Sequence, residues 1–212
     1  MPFETRDTST PYMILPLVAL DDKPRIERKL KPKMTLEYRV ELTTIGNQIA
    51  RYDYTMRGTV GPEQGTKEYN VTFVLEDMKG EIAGGATSSA RFGSVQVALG
   101  PTGFPKNLSF LGNALSFSMP LLSFYLPEKA GAEVEFISPA YDQRITAVGK
   151  AWAKGVRIES QANLVVSGEE PDRSTLRRLK MKAEFDKSGT LLSSSGKYTA
   201  PDGTVNFKVT KK

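Results

Sequence analysis

The sequence contains no cysteine and no histidine among its 212 residues. Without cysteine there are no disulfides and no thiolate nucleophile. Without either residue there is no Ser-His or Cys-His relay and no zinc site of the ordinary kind. No cofactor and no metal are expected on these grounds, oxygen-ligated calcium being the one metal left open, since Asp, Glu and backbone carbonyls suffice for it. Long apolar runs are missing as well. Near the N-terminus the stretch from Tyr12 to Leu20 is broken by Pro16 and is far too short to span a bilayer. It follows the acidic Glu4 and Asp7 and lacks a basic n-region and a small-residue cleavage site, so it does not read as a signal peptide, although Met1 with a proline behind it is compatible with a start placed after a removed leader. The lack of cysteine suits a reducing cytosol and an extracytoplasmic protein equally. There is one tryptophan, Trp152, which reads as core rather than as a carbohydrate platform. A convincing helical period is absent too; the best helix candidate is the short EPDRSTLRRLKMK, with Asp172 or Ser174 as cap, and its tail reads better as a strand.

A hydrophobic content of 39% with 25% charged residues is enough to build a core, and the length fits one large all-β domain or two small ones. The net charge of +5 is modest and spread out, which points to neither nucleic acid nor membrane as a partner. Two local basic clusters stand out, Lys23 to Lys33 and Arg173 to Lys182. Arg25, Arg28, Lys29, Arg177, Arg178 and Lys180 are the candidate contacts to an anionic partner; the alternative is that they guard strand edges against aggregation. No aromatics are interleaved with them, so a stacking platform for single-stranded nucleic acid is not expected.

Most of the chain alternates apolar and polar residues with period two, the pattern of half-buried antiparallel strands. In TLEYRVELT, Leu36, Tyr38, Val40 and Leu42 share one face. After a turn at Ile45-Gly46-Asn47-Gln48, RYDYTMR places Tyr52, Tyr54 and Met56 inward against Arg51, Asp53, Thr55 and Arg57. EYNVTFVLED, ARFGSVQVALG, AEVEFIS, RITAVGKAWA, VRIESQANLVV, LKMKAEFD, GTLLSSSGKYT and GTVNFKV continue in this manner, with an internal duplication suggested by the order of strands and turns but few identities.

One passage departs from the pattern. From Phe104 to Leu126 the chain is apolar with Lys106 its only charge, and Pro105 and Pro120, followed by Pro127, forbid a long helix or central strand. Such a segment threads between sheets as core filler or lines a ligand cavity, in which case Phe104, Phe110, Leu115, Phe117, Leu122, Phe124 and Tyr125 are the lining candidates. The expected organisation is an extended arm over 1–30 and one β-rich domain over 31–212. Its two related halves, 31–103 and 130–212, are joined by the apolar segment 104–129. The fold class is mainly β, with two curved antiparallel sheets or half-barrels, the apolar segment crossing between them and little helix.

Catalytic motifs fail on context. GPEQGTK has the glycines and lysine of a phosphate loop but is one residue short and joins two strands, which makes it a hairpin loop. Ser194-Ser195-Gly196-Lys197 and Lys187-Ser188-Gly189 match the S-x-x-K and K-S-G of penicillin-binding enzymes, but in the wrong order and within one hairpin. Glu37, Glu41, Asp53 and Glu76 could form an acid–base pair, yet they alternate with Arg39, Arg51 and Arg57 as a solvated, charge-paired sheet face does. No catalytic residues are assigned.

The succession KPKMTLEYRVEL, an apolar passage ending in LPEKAGAEVEF, then VGKAWAKG and FDKSGTLLSSSG, over residues 31 to 212, resembles uncharacterised bacterial exported β-proteins built of two related sheets. More distantly, a curved sheet covered by an apolar segment resembles the periplasmic lipoprotein carriers of the outer-membrane localisation type, which hold acyl chains in the concavity and, unlike this chain, close its mouth with helices. The resemblance implies an exported or envelope-associated, non-enzymatic protein that binds an apolar or amphipathic ligand or a partner protein, without a transmembrane span. A structural or assembly module docking through sheet edges and basic arm is the alternative, and a carboxylate-only enzyme the third.

Overall fold

The computed structural model describes residues 27–65, 67–83, 85–88, 93–103, 105, 117, 119–126, 133–140, 143–154, 157–166 and 177–212; of 86–88, 133–166 and 177 it describes the backbone alone. Among the described residues eleven strands run in chain order: β1 Thr35–Ile45, β2 Ile49–Gln64, β3 Glu68–Ile82, β4 Ala86–Ser88, β5 Ser94–Leu99, β6 Glu133–Ala140, β7 Gln143–Lys154, β8 Arg157–Val166, β9 Arg177–Phe185, β10 Leu191–Ala200 and β11 Gly203–Lys211. A 3-10 turn spans Met119–Phe124. The protein is therefore mainly β, with little helix among the described residues.

Every pairing is antiparallel, and the order is β4-β3-β2-β1-β11-β10-β9-β8-β7-β6, with β5 on the same edge of β3 as β4 but farther along it. Seven of these strands, β5-β3-β2-β1-β11-β10-β9, form a curled half-barrel. The expectation of two sheets meets one sheet among the described residues. The ladder from Tyr38↔Lys211 to Ile45↔Thr204 fuses the first meander to the last strand, and β8 adds directly to β9, so β6–β8 extend the sheet.

The pleat explains the inner face. Along β1 the residues Leu36, Tyr38, Val40 and Leu42 are buried while Thr35, Arg39 and Glu41 are exposed, as period-two alternation requires. The same alternation buries Val71, Phe73 and Leu75 on β3, Leu179, Met181 and Phe185 on β9, and Val205, Phe207 and Val209 on β11. Register irregularities bend the sheet. Between Asp53 and Thr55 the partner strand carries an extra residue, and Asp77 there has φ 53°, the left-handed conformation of a bulge. Further irregularities lie between Val60 and Glu63 and between Leu191 and Ser193. Bulges increase local twist, which curls long strands such as β2 and β3 around a core instead of leaving them flat.

Two glycines serve the same end. Gly58 stands opposite Phe73, and Gly196 opposite Phe207. A Cβ built on Gly58 would lie 2.5 Å from the Phe73 ring, and one on Gly196 would lie 2.1 Å from that of Phe207, so each ring lies across a bare backbone.

Candidate functional site

The concave face is covered by the end of the apolar passage. Phe117, Met119, Leu121, Leu122, Phe124, Tyr125 and Leu126 are all buried and belong to the same core as the inner faces of β1–β3, β5 and β9–β11. The expected crossing between two sheets is thus a covering of one curled sheet. The 3-10 turn touches β9, β10 and β11, while Phe124 of the turn and Phe117 just before it reach β1–β3. Phe124 meets Tyr38 edge-on at 5.3 Å and Phe73 at 5.1 Å, and Phe117 meets Tyr52 at 5.0 Å and Tyr54 at 6.1 Å. A short 3-10 turn fits this sequence, since Pro120 has no N–H to give to an α-helical ladder and is tolerated only in a first turn.

Three ties among the described residues hold the segment. Gly103 and Leu126 form an isolated bridge, Gly103 N donating to Leu126 O at 2.6 Å and Leu126 N to Gly103 O at 3.2 Å. The Ser194 hydroxyl donates to Ser123 at 2.6 Å in a fully enclosed setting. The third tie is Arg28. Its guanidinium donates to the carbonyls of Gly100 and Phe124, its backbone N–H to Pro101 O at 2.7 Å, and Lys29 N donates to Ser188 O at 2.9 Å. One residue thereby joins the chain before β1, the end of β5, the 3-10 turn and, through its neighbour, the β9–β10 hairpin. The fit is close: Gly189, at φ 73°, has room for no Cβ beside the Arg28 backbone.

Arg28 is 7% exposed. Burial pulls its guanidinium down to about 10, the nearby Tyr38 opposing. Among the described residues no carboxylate pairs with it. Burial raises the Tyr38 phenol well above its ordinary value, with Arg28 opposing and Asp186 adding to the rise; burial raises Tyr54 likewise. The hydroxyls of Tyr38 and Tyr54 are enclosed and have no hydrogen-bond partner among the described residues. A buried donor left unsatisfied costs about 1–3 kcal/mol, so these are two costly groups. They lie on neighbouring strands, in diagonal positions of the ladder that pairs Tyr38 with Met56 and Val40 with Tyr54.

The outer face differs in its two parts. On β1–β3 the charges are paired across strands: Arg39 with Asp53 at 3.1 Å, Arg57 with Glu37 at 3.4 Å and Glu76 at 3.1 Å, and Lys212 with Glu37 at 3.5 Å. The carboxylates weighed as an acid–base pair are thus on the exposed face, each of Glu37, Asp53 and Glu76 engaged by a cation. Thr55, expected outward, shares this outer face with Arg39 and Glu76, which stand opposite it, yet it is buried there and accepts from Lys212 Nζ at 2.8 Å. On β9–β11, Arg178, Lys180, Lys197 and Lys208 are exposed with no ion pair to described residues, and Lys180 stands directly opposite Lys197. Among the described residues no group of three acidic side chains is placed to hold a metal ion.

Of the lining candidates, Phe117, Leu122, Phe124 and Tyr125 come together on the concave face, all buried. Phe104, Phe110 and Leu115 lie outside the described residues, as does Arg25. Lys29, Arg178 and Lys180 are exposed, and Arg177 is described by its backbone on β9. Arg28, expected on an extended arm, is buried because the end of β5, the 3-10 turn and the β9–β10 hairpin converge on it. The sequence reading missed Arg28 as an internal anchor and Tyr38 and Tyr54 as orphan hydroxyls. The available signal was a phenol at an inward position of an otherwise aliphatic alternation. Compared with known proteins, the chain matches no family model and no curated protein sequence.

Proposed function

We propose that the protein is a non-enzymatic binder that holds an apolar or amphipathic ligand on the concave face of its half-barrel, where residues 117–126 now lie. The observation that carries this reading is the way that segment is held. Its large side chains fill the concavity, and the described bonds that tie it, the Gly103–Leu126 bridge, the Ser194–Ser123 hydroxyl pair and the Arg28 guanidinium on the Phe124 carbonyl, are not those of a strand ladder. An acyl chain or similar ligand could take the place of those side chains without breaking the sheet's hydrogen bonds, since hydrophobic contact is non-directional. The exported location implied by the resemblance belongs to this proposal.

The test is binding of a neutral apolar fluorophore such as N-phenyl-1-naphthylamine. A micromolar Kd, about −8 kcal/mol, is expected, tighter in Leu122→Ala, which loosens the covering segment. Absence of binding in both proteins would overturn the reading. A docking module is the second reading, favoured by Arg178, Lys180, Lys197 and Lys208 on the outer face, which have no ion pair among the described residues, since like charges directly opposite one another weaken a sheet unless something else compensates.

A further inference from the structure

We propose that the concave face contains a headgroup site for a long-chain carboxylate, with the Arg28 guanidinium as its cation and the Tyr38 and Tyr54 hydroxyls as its donors; this rests on the ligand-binding reading above and names the ligand class. Three observations converge. Arg28 is a buried full charge whose described partners, the carbonyls of Gly100 and Phe124, are neutral. Those two bonds leave further donors on a group that has five N–H bonds. Asp186, the acid nearest in effect to Tyr38, is occupied elsewhere: its Oδ1 accepts from the Ser188 hydroxyl and from the Ser188 and Thr190 N–H groups. Second, the only enclosed side-chain polar atoms without partners among the described residues are the two phenol oxygens. Third, all three groups meet the same covering segment. Tyr38 packs edge-on against Phe124, whose carbonyl Arg28 holds, and Tyr54 packs against Phe117.

Charge counting selects the ligand. One guanidinium in an apolar enclosure is balanced by one negative charge, so a monoanion fits and a phosphate dianion would leave charge uncompensated. A carboxylate is planar, matches the guanidinium fork and has lone pairs left to accept from both phenols. The rest of the face, including Val97, Leu99, Met181 and Phe207, is the apolar surface a hydrocarbon tail requires.

The experiment compares oleate with methyl oleate, both below their aggregation concentrations, by displacement of a bound apolar fluorophore from the full chain and from Tyr38→Phe, Tyr54→Phe and the double variant. The native protein should bind oleate at least tenfold more tightly than the ester. Each Phe variant should fold, keep its affinity for the ester and lose roughly five- to tenfold in affinity for oleate, because only the hydroxyl has been removed. Equal binding of acid and ester, or oleate affinity unchanged in the double variant, would overturn the headgroup site while leaving the ligand-binding reading standing, with the phenols then satisfied by buried water. Failure of both lipids to bind the native protein would overturn both.

Discussion

Ser194 and Ser123, 71 positions apart, share a hydrogen bond of 2.6 Å that is wholly enclosed between the half-barrel and its covering segment. The bond fixes the 3-10 turn on β10 at a point where both residues are buried. Ser194→Ala should therefore strand the Ser123 hydroxyl and cost about 1–3 kcal/mol. In urea unfolding, the Ser123→Ala/Ser194→Ala pair should cost less than the sum of the single variants. Strict additivity would mean that the two hydroxyls do not interact.

Leu122→Ala removes a side chain that is 3% exposed from the centre of the covering segment. In the absence of ligand it should lower stability by about 2–5 kcal/mol, the range for a buried Leu cavity. A loss well below this would show that the segment is not packed as described.

Gly196→Ala places a methyl group within the ring of Phe207, at 2.1 Å. Relief requires the ring to leave its position over the strand, and overpacking of this kind costs roughly 1–3 kcal/mol. Adding Phe207→Leu should recover part of the loss. Chemical denaturation of the three proteins decides the matter, and an unperturbed Gly196→Ala would exclude the close ring-over-glycine contact.

Asp186 closes the β9–β10 hairpin. Its partial burial works to raise the carboxyl, but the bonds from the Ser188 hydroxyl and from the Thr190 and Ser188 N–H groups, with Lys211 assisting, outweigh it and leave the carboxyl below its ordinary value. With the folded value depressed, the stabilisation is present above the ordinary carboxylate range and disappears as pH falls through the folded value. The stability difference between the native protein and Asp186→Asn should therefore be constant near neutrality and shrink on acidification. A difference that grows toward low pH would reverse the assignment.

Arg28→Lys keeps the charge but loses the planar fork that reaches two carbonyls at once. A single ammonium cannot reproduce that geometry, and a buried charge with poorer partners is costly, about 3–5 kcal/mol where such a group is broken outright. Thermal unfolding should show a substantial drop, whereas Lys29→Ala, one residue away on an exposed side chain, should leave the melting temperature nearly unchanged.

Several features were legible in the residues. The alternation of Leu36, Tyr38, Val40 and Leu42 identified the inner face of β1, and the Ile45–Gln48 connection was readable as a hairpin. The pairing of outer carboxylates with arginines followed from the same period. Thr55 faces outward as the alternation requires, opposite Arg39 and Glu76; its burial there left no sign in the local pattern because the Lys212 ammonium that bonds its hydroxyl comes from 157 residues away.

The pleat is a local property of the backbone, so the sequence alone determined that this is a mainly β protein, which side chains turn inward, and that the apolar passage from Phe104 to Leu126 needs covering. The closing of two meanders into one sheet rests on β1 meeting β11. The burial of Arg28 rests on carbonyls 72 and 96 residues away. Long-range partners of this kind leave no period or spacing in the chain. Only the tertiary structure could decide that a charge read as part of an extended arm stands inside the core near Tyr38, whose hydroxyl has no hydrogen-bond partner among the described residues.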